Sequence, residues 1–174
     1  MPGCGKEEVL KVAQKMGFTV LRMGDLVREE AKRRGLGATD ESIGTMADEE
    51  RRRHGPGVWA ARTIPLFRGE DRYLVDGVRN LQEVEIFRKS FGDSVAVLAV
   101  TSTEENRFQR LQARARADDP QMREEFGLRD RREIGWGLAE AIGSADLVIQ
   151  NDGSLQEFRI RIRAALKGLP RRNA

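Results

Sequence analysis

The chain holds one cysteine, Cys4, one histidine, His54, and five prolines in 174 residues. A single thiol excludes an internal disulfide framework and fits a reducing compartment. Neither a zinc-ligand spacing nor a catalytic triad can be assembled around the lone histidine. No run approaches the ~18 apolar residues of a membrane span, and no signal-like apolar stretch follows Met1-Pro2. The expected location is therefore the cytoplasm, without a membrane partner. Aromatics make up only 6%, and 31 basic residues stand against 28 acidic ones for a net charge of +3. Arg clusters with acids beside them and few stacking rings argue against a nucleic-acid partner. Repeats and low-complexity linkers are also missing. The length fits one domain, expected over residues 1–168, with 169–174 as a frayed tail.

What is present is an alternation of short apolar runs and amphipathic stretches. Strands are expected at 18–23, 72–76, 95–100 and 145–151. Helices are expected at 6–16, after Gly24-Asp25 with Asp25 as N-cap, and at 40–54 and 58–68. Further helices are expected after Asn80, from Ser102 through Arg116, over about 121–142, and after Ser154. Asn80 with Glu83, Ser102 with Glu105 and Ser154 with Glu157 have capping-box spacing. Strand and helix alternate, and the run VAVLAV is apolar throughout, as in the centre of a parallel sheet. The fold class is a three-layer α/β domain with helices on both faces of a parallel sheet.

The opening MPGCGKEEV lines up with the phosphate-cradling motif G-x-x-x-x-G-K-[ST] at Gly5 and Lys6. The motif's first glycine would fall one residue before Met1, and Glu7 replaces the hydroxyl residue. Gly3 and Gly5 let consecutive N–H groups point into one concavity, Lys6 meets phosphate charge, and a helix N-terminus follows. Cys4 lies where a small residue is wanted, and a helix N-terminus favours its thiolate. ATP is then expected to slow Cys4 alkylation.

Behind this loop, MGDLVREE (23–30), YLVDGVRN (73–80), RARADDP (114–120) and NDGSLQEF (151–158) stand in an order that resembles the nucleoside-monophosphate-kinase branch of P-loop proteins. The chain is similar to a group of small archaeal P-loop kinases related to adenylate kinase and dephospho-CoA kinase. That resemblance implies a sheet in the order 2-3-1-4-5, whose central strand precedes the loop and has no counterpart here. The expectation is that about ten native residues are missing, through a start assigned too late or an expressed piece that begins too late, leaving a slot between the strands at 72–76 and 95–100. It also implies an acceptor-binding helical arm over about 25–70 and a lid over about 107–132.

The resemblance implies ATP and Mg²⁺ as donor and metal. Lys6, Arg116 and Arg129 are the expected catalytic cations, since phosphoryl transfer rests on well-placed positive charge. Gly3, Cys4, Gly5, Lys6, Glu7, Arg107 and Gly153 are the donor-binding candidates, with Glu7's role left open. Asp25, Arg28, Arg79 and Gln82 are the acceptor-binding candidates, although Asp25 is equally a helix cap and Gln82 equally a surface residue. Asp76, at the end of a buried strand, is the expected metal ligand. Salt-bridged surface faces are the alternative reading of the arginines, and a plain turn that of Gly153.

The expected activity is transfer of the γ-phosphoryl group of ATP to a small nucleotide-like acceptor, a nucleoside monophosphate or dephospho-CoA. The partner is a small molecule, and the chain a monomer or homodimer. The rival is an ATP-binding regulator or slow ATPase with no acceptor.

Overall fold

A computed structural model describes residues 1–37, 39–69, 72–115 and 119–169. The four apolar segments form strands β1 (Thr19–Arg22), β2 (Tyr73–Asp76), β3 (Leu98–Thr101) and β4 (Leu147–Gln150). They pair in parallel as β1 with β2 and β3 with β4, in registers running from Thr19 opposite Tyr73 and from Leu98 opposite Leu147. The parallel strands fall into two separate pairs. Between β2 and β3 lies a slot of about 280 Å³, lined by Leu74 and Val75 on one side, Leu98 and Val100 on the other, and Leu10. It lies where the gap in the sheet was expected. Strand β3 starts three residues later than expected because ladder pairing with β4 begins only at Leu98. Val95, Ala96 and Val97 line the slot instead.

Nine helices surround the strands among the described residues: α1 (Lys6–Lys15), α2 (Met23–Arg33), α3 (Asp40–His54), α4 (Val58–Thr63), α5 (Leu81–Phe91), α6 (Glu104–Arg114), α7 (Arg123–Gly135), α8 (Leu138–Gly143) and α9 (Leu155–Lys167). Their caps follow the sequence in part. Asn80 accepts from the Glu83 amide at 2.9 Å, and Ser154 with Glu157 makes a reciprocal capping box. Asp25 is not an N-cap, because α2 starts directly at the end of β1 and leaves Asp25 inside its first turn. Thr103 rather than Ser102 caps α6, accepting from the Asn106 amide at 3.3 Å. The Ser102 hydroxyl is committed elsewhere, its single proton shared between the Asn151 carbonyl at 2.8 Å and Asp152 at 2.7 Å. The polar helix expected over 121–142 is broken in two, since Gly137 takes a left-handed conformation (φ 98°) that starts α8 in a new direction.

Three apolar clusters build the core among the described residues, the smallest being Phe108, Leu111 and Phe126 between α6 and α7. In one, Val9, Val12 and Ala13 of α1 pack with Val100, Ile149 and Ile162. In another, Met23, Met46, Ala47, Trp59 and Phe87 join α2, α3, α4 and α5. The buried Glu50 carboxylate binds Arg34 at 2.5 Å and also Arg62, tying the three helices α2, α3 and α4 into one unit. Among the described residues, no helix is long and apolar enough to cross a membrane.

Candidate functional site

The loop from Pro2 to Lys6 wraps the N-terminus of α1, and its glycines are forced by their surroundings. Gly3 (φ 73°) and Gly5 (φ 103°) both occupy the left-handed region. A Cβ on Gly3 would lie 2.4 Å from the Arg107 carbonyl oxygen, and one on Gly5 would lie 2.4 Å from the Asn151 amide nitrogen. The Asn151 Nδ2 donates to the Cys4 carbonyl at 2.9 Å, fastening the loop to the end of β4. Arg107 donates to the Pro2 carbonyl at 3.3 Å and grips Asp130 with both Nη atoms at 2.9 and 2.6 Å. Asn151 is read only as the first residue of NDGSLQEF, and Asp130 does not stand out in the sequence. The tight packing of a loop between two glycines leaves no signature in residue type alone.

Lys6 opens α1, and its Nζ donates to the Met1 carbonyl at 2.9 Å. Both Lys6 and Asp76, the last residue of β2, line the slot. Cys4 is only 1% exposed and packs within the core. Burial opposes its ionisation, but the Lys6 cation and the amino terminus outweigh that and hold the thiol below its ordinary value. An exposed thiolate is therefore not what the loop offers; Cys4 reacts only when the packing opens. Glu7 forms an ion pair with Arg22 at 3.2 Å, so its charge is partly met within the protein.

A second cavity, of about 110 Å³, lies between α2, α3 and α7. Arg28, Arg51, Arg79, Arg129 and Arg132 line it together with two carboxylates, Asp40 and Glu133. The acceptor candidates Arg28 and Arg79 thus share one cleft with the catalytic candidate Arg129. Arg79 Nε lies 3.3 Å from Glu133, which is buried. Burial raises the Glu133 pKa, yet Arg79, Lys6 and Arg129 together hold it below the ordinary carboxylate value. Beside it, burial pushes the Glu83 carboxyl up despite Arg51.

The remaining candidates are dispersed. Asp25 is exposed and paired with Arg28 at 2.5 Å. Gln82 is exposed on α5 and lines neither cavity. Gly153 lies in the exposed turn before α9, against Glu157. Arg116 lies outside the described residues. Along α6 the arginines meet partners on the protein: Arg107 on Asp130, Arg110 on Ser102 and the Asn151 carbonyl, and Arg114 on Asp119. It is α7 that turns Arg129 and Arg132 into the cleft. Arg51 and Glu133 were missed, although Ile43, Ala47 and Arg51 recur four apart and so share a face of α3.

A phosphate-cradling loop at a helix N-terminus, beside parallel strands flanked by helices, defines a P-loop protein of the nucleotide-binding, kinase-like kind. A family model described as an AAA domain matches residues 1–126. UPF0200 proteins are similar over nearly the whole chain. The one from Thermoplasma acidophilum is 41% identical over 95% of this chain and 91% of its own. The one from Methanothrix thermoacetophila is 43% identical over 98% and 95%. The crystal structure of TT1252 from Thermus thermophilus superimposes with a TM-score of 0.63 over 97% of this chain and 94% of that one, at 20% identity, a likeness of fold. The chain belongs to the archaeal UPF0200 family of AAA-domain, P-loop kinase-like proteins.

Proposed function

We propose that the protein transfers the γ-phosphoryl group of ATP to a small nucleotide-like acceptor, a nucleoside monophosphate or dephospho-CoA. The observation that carries this reading is the juxtaposition of a phosphate loop with a cleft of five arginines, bridged by Lys6, Arg79 and Glu133, whose charges interact. The loop suits phosphate: two glycines in left-handed conformation expose backbone N–H groups, and Lys6 stands at the head of α1. Lys6 binds the donor phosphates and follows the transferring group, while Arg129 meets charge developing on the oxygens. The acceptor oxygen attacks the γ-phosphorus as the bond to the β,γ-bridging oxygen breaks and ADP departs; a phosphate oxygen brings no proton, and a hydroxyl acceptor gives its proton to solvent.

Among the described residues no cluster of three His, Cys, Asp or Glu could hold a metal ion. Mg²⁺ would be held by Asp76, at the end of β2, together with phosphate oxygens, where it would neutralise phosphate charge. Gly3, Cys4 and Gly5 act here through backbone, and Gly153 by closing the donor's base side. Arg107 braces the loop, and Glu7 is neutralised by Arg22. Arg28 and Arg79 face the acceptor, with Asp25 positioning Arg28; Gln82 is the candidate for reading the acceptor base, and Arg116 is a further catalytic cation. Residues 25–70 form the acceptor arm and 107–132 the lid of a single cytoplasmic domain, monomeric or homodimeric, that uses small nucleotides.

A regulator or slow ATPase without an acceptor is the second reading, favoured by Glu7 in place of a hydroxyl and by its tie to Arg22. The test is ADP release from MgATP across a panel of acceptors, with Lys6→Ala as control. Acceptor-dependent release that Lys6→Ala abolishes supports transfer. Release unchanged by every acceptor supports the second reading.

A further inference from the structure

One face of the molecule carries positive charge that the protein does not meet. Residues 9–18 and 158–169 contain no aspartate or glutamate, yet hold Lys11, Lys15, Arg159, Arg161, Arg163 and Lys167. Elsewhere most arginines of the described residues bind a carboxylate, as Arg28 binds Asp25 and Arg107 binds Asp130. In these two segments Arg159 binds Glu8 at 2.6 Å, and Arg161 donates to the Gln150 carbonyl at 3.0 Å. The side chains of Lys11, Lys15, Arg163 and Lys167 are exposed and meet no ion-pair or hydrogen-bond partner among the described residues. Lys32, Arg53, Arg68, Lys89 and Arg131 are also without an ion pair, but each stands on a different segment.

The four cations form one stripe, because α1 and α9 lie side by side and run the same way. At their starts, Asn151 holds the Cys4 carbonyl at 2.9 Å and Phe158 lies against Gly5. At their ends, Arg72 donates to the Leu166 carbonyl at 2.8 Å while its guanidinium lies 3.9 Å from the centre of the Phe18 ring. The pair of Glu8 and Arg159 sets the register between the helices. Lys11 and Lys15 follow Glu8, and Arg163 and Lys167 follow Arg159, at the spacings that share a helix face. Each helix thus presents two cations about 6 Å apart along its axis, on axes about 8–10 Å from each other. Lys15 and Lys167 stand in the last turns, where they also complement the carbonyl ends of their helices. Lys11 and Arg163 are mid-helix and have no such role. The acids around these helices are engaged elsewhere: Glu7 with Arg22, Glu157 with Ser154, and Asp152 at the start of α6. Asp76 lies near Cys4, at the other end of α1. Glu70, Asp71, Arg171 and Arg172 lie outside the described residues.

We propose that this stripe docks the phosphate backbone of a nucleic-acid duplex. Unpaired cations gathered on one face of a basic chain, here with a pI of about 9.3, are the footprint of a polyphosphate partner. The near-neutral balance of the whole chain, which argues against such a partner, conceals the face because charges elsewhere are paired. No aromatic side chain of α1 or α9 is exposed, so unpaired bases find no platform to stack on, and a single strand gains nothing beyond its charge. Of the exposed large apolar side chains, Ile160 alone lies beside the stripe, since Leu155 is at the start of α9 and Val148 on β4. One such side chain is too little to anchor in a membrane surface or to form the apolar centre of a protein interface. The stripe begins more than a turn beyond Lys6, and the inference goes beyond the phosphotransfer reading without resting on it.

Fluorescence anisotropy of a labelled duplex, as RNA and as DNA, and of a labelled oligouridine of the same length would measure binding to the full chain from about 50 to about 200 mM salt. With four cations engaged, log K for a duplex should fall with log salt at a slope of about −3 to −4. Lys11→Gln combined with Arg163→Gln should flatten that slope to about −2 and weaken binding at least about tenfold at the lower salt. Both positions are exposed, so this double variant should melt within about 3 °C of wild type. Lys15→Gln combined with Lys167→Gln should flatten the slope equally, and it carries the test should the first pair not fold. Lys6→Ala and saturating MgATP should leave binding unchanged, which separates the stripe from the phosphate loop. Equal affinity for the two duplexes supports readout of the backbone alone, and a preference for either supports the proposal and names the source. Binding that keeps its slope in both double variants overturns the proposal, as does tighter binding of oligouridine than of either duplex. Polyglutamate that competes as well as unlabelled duplex at equal charge overturns it in favour of an acidic protein. Retention on anionic vesicles without duplex binding overturns it in favour of a membrane surface, and no salt-dependent binding at all overturns it outright.

Discussion

Gly5 shows how a single residue sets the chemistry of the loop. Its backbone is left-handed, and the space a side chain would need is filled by Asn151 and Phe158. Gly5→Ala combines conformational strain with a steric clash, and should destabilise the fold by ~1–3 kcal/mol and abolish ATP-dependent stabilisation. A thermal melt with and without MgATP checks both, and an unchanged response to ATP would show that the loop tolerates a side chain. Asn151→Leu removes the donor to the Cys4 carbonyl and leaves a buried acceptor unmet, at a cost of about 1–3 kcal/mol. Denaturant unfolding should show it as a lower midpoint. These two residues also mark what was legible. Gly3, Gly5 and Lys6 could be read because phosphate binding demands those residue types next to one another. Asn151, Arg51 and Glu133 act through partners 147, 32 and 54 positions away in the chain, and nothing local betrays such pairings.

At the scale of elements, the joint between β4 and α6 depends on one carboxylate. Asp152 accepts from the Thr103 amide at 2.9 Å, Ser102 at 2.7 Å, Asn106 at 3.0 Å and Gln150 at 2.9 Å. These bonds, the Thr103 amide first, hold its pKa well below the usual carboxylate range. The folded state thus protonates less readily than the unfolded chain. The stabilisation is complete at neutral pH and is lost as pH falls below about 4, the ordinary aspartate value. Asp152→Asn should therefore melt below wild type at pH 7, with the gap narrowing towards pH 3. A gap that stays constant would show that the charge is immaterial. Strand and helix identities were legible because apolar runs and periodicity are local. The helix starts at Met23 and Thr103 were not, since each depends on what the preceding strand leaves free to pair. The slot between β2 and β3 offers a further test. An apolar strand and a glycine fused before Met1 should pair with both edges and raise the melting temperature by many degrees. No change would show that the edges do not accept a partner.

For the whole molecule, Cys4 converts global stability into a chemical rate. The thiol is sealed in the core, so alkylation proceeds only from opened molecules, and any ligand that binds the closed form slows it. MgATP should slow labelling by the factor by which it shifts the folding equilibrium, and Lys6→Ala should show no slowing. Equal rates with and without ATP in the native chain would count against nucleotide binding at the loop.

The slot has a mechanical consequence. Helix α1 packs against both strand pairs, through Phe18 and Leu74 on one side and Val100 and Ile149 on the other. It spans a space of about 280 Å³ that side chains leave open. Volume trapped in a fold and eliminated on unfolding is what hydrostatic pressure acts upon. Where the apolar walls keep water from filling this space, compression should favour opening along the line between the two half-sheets.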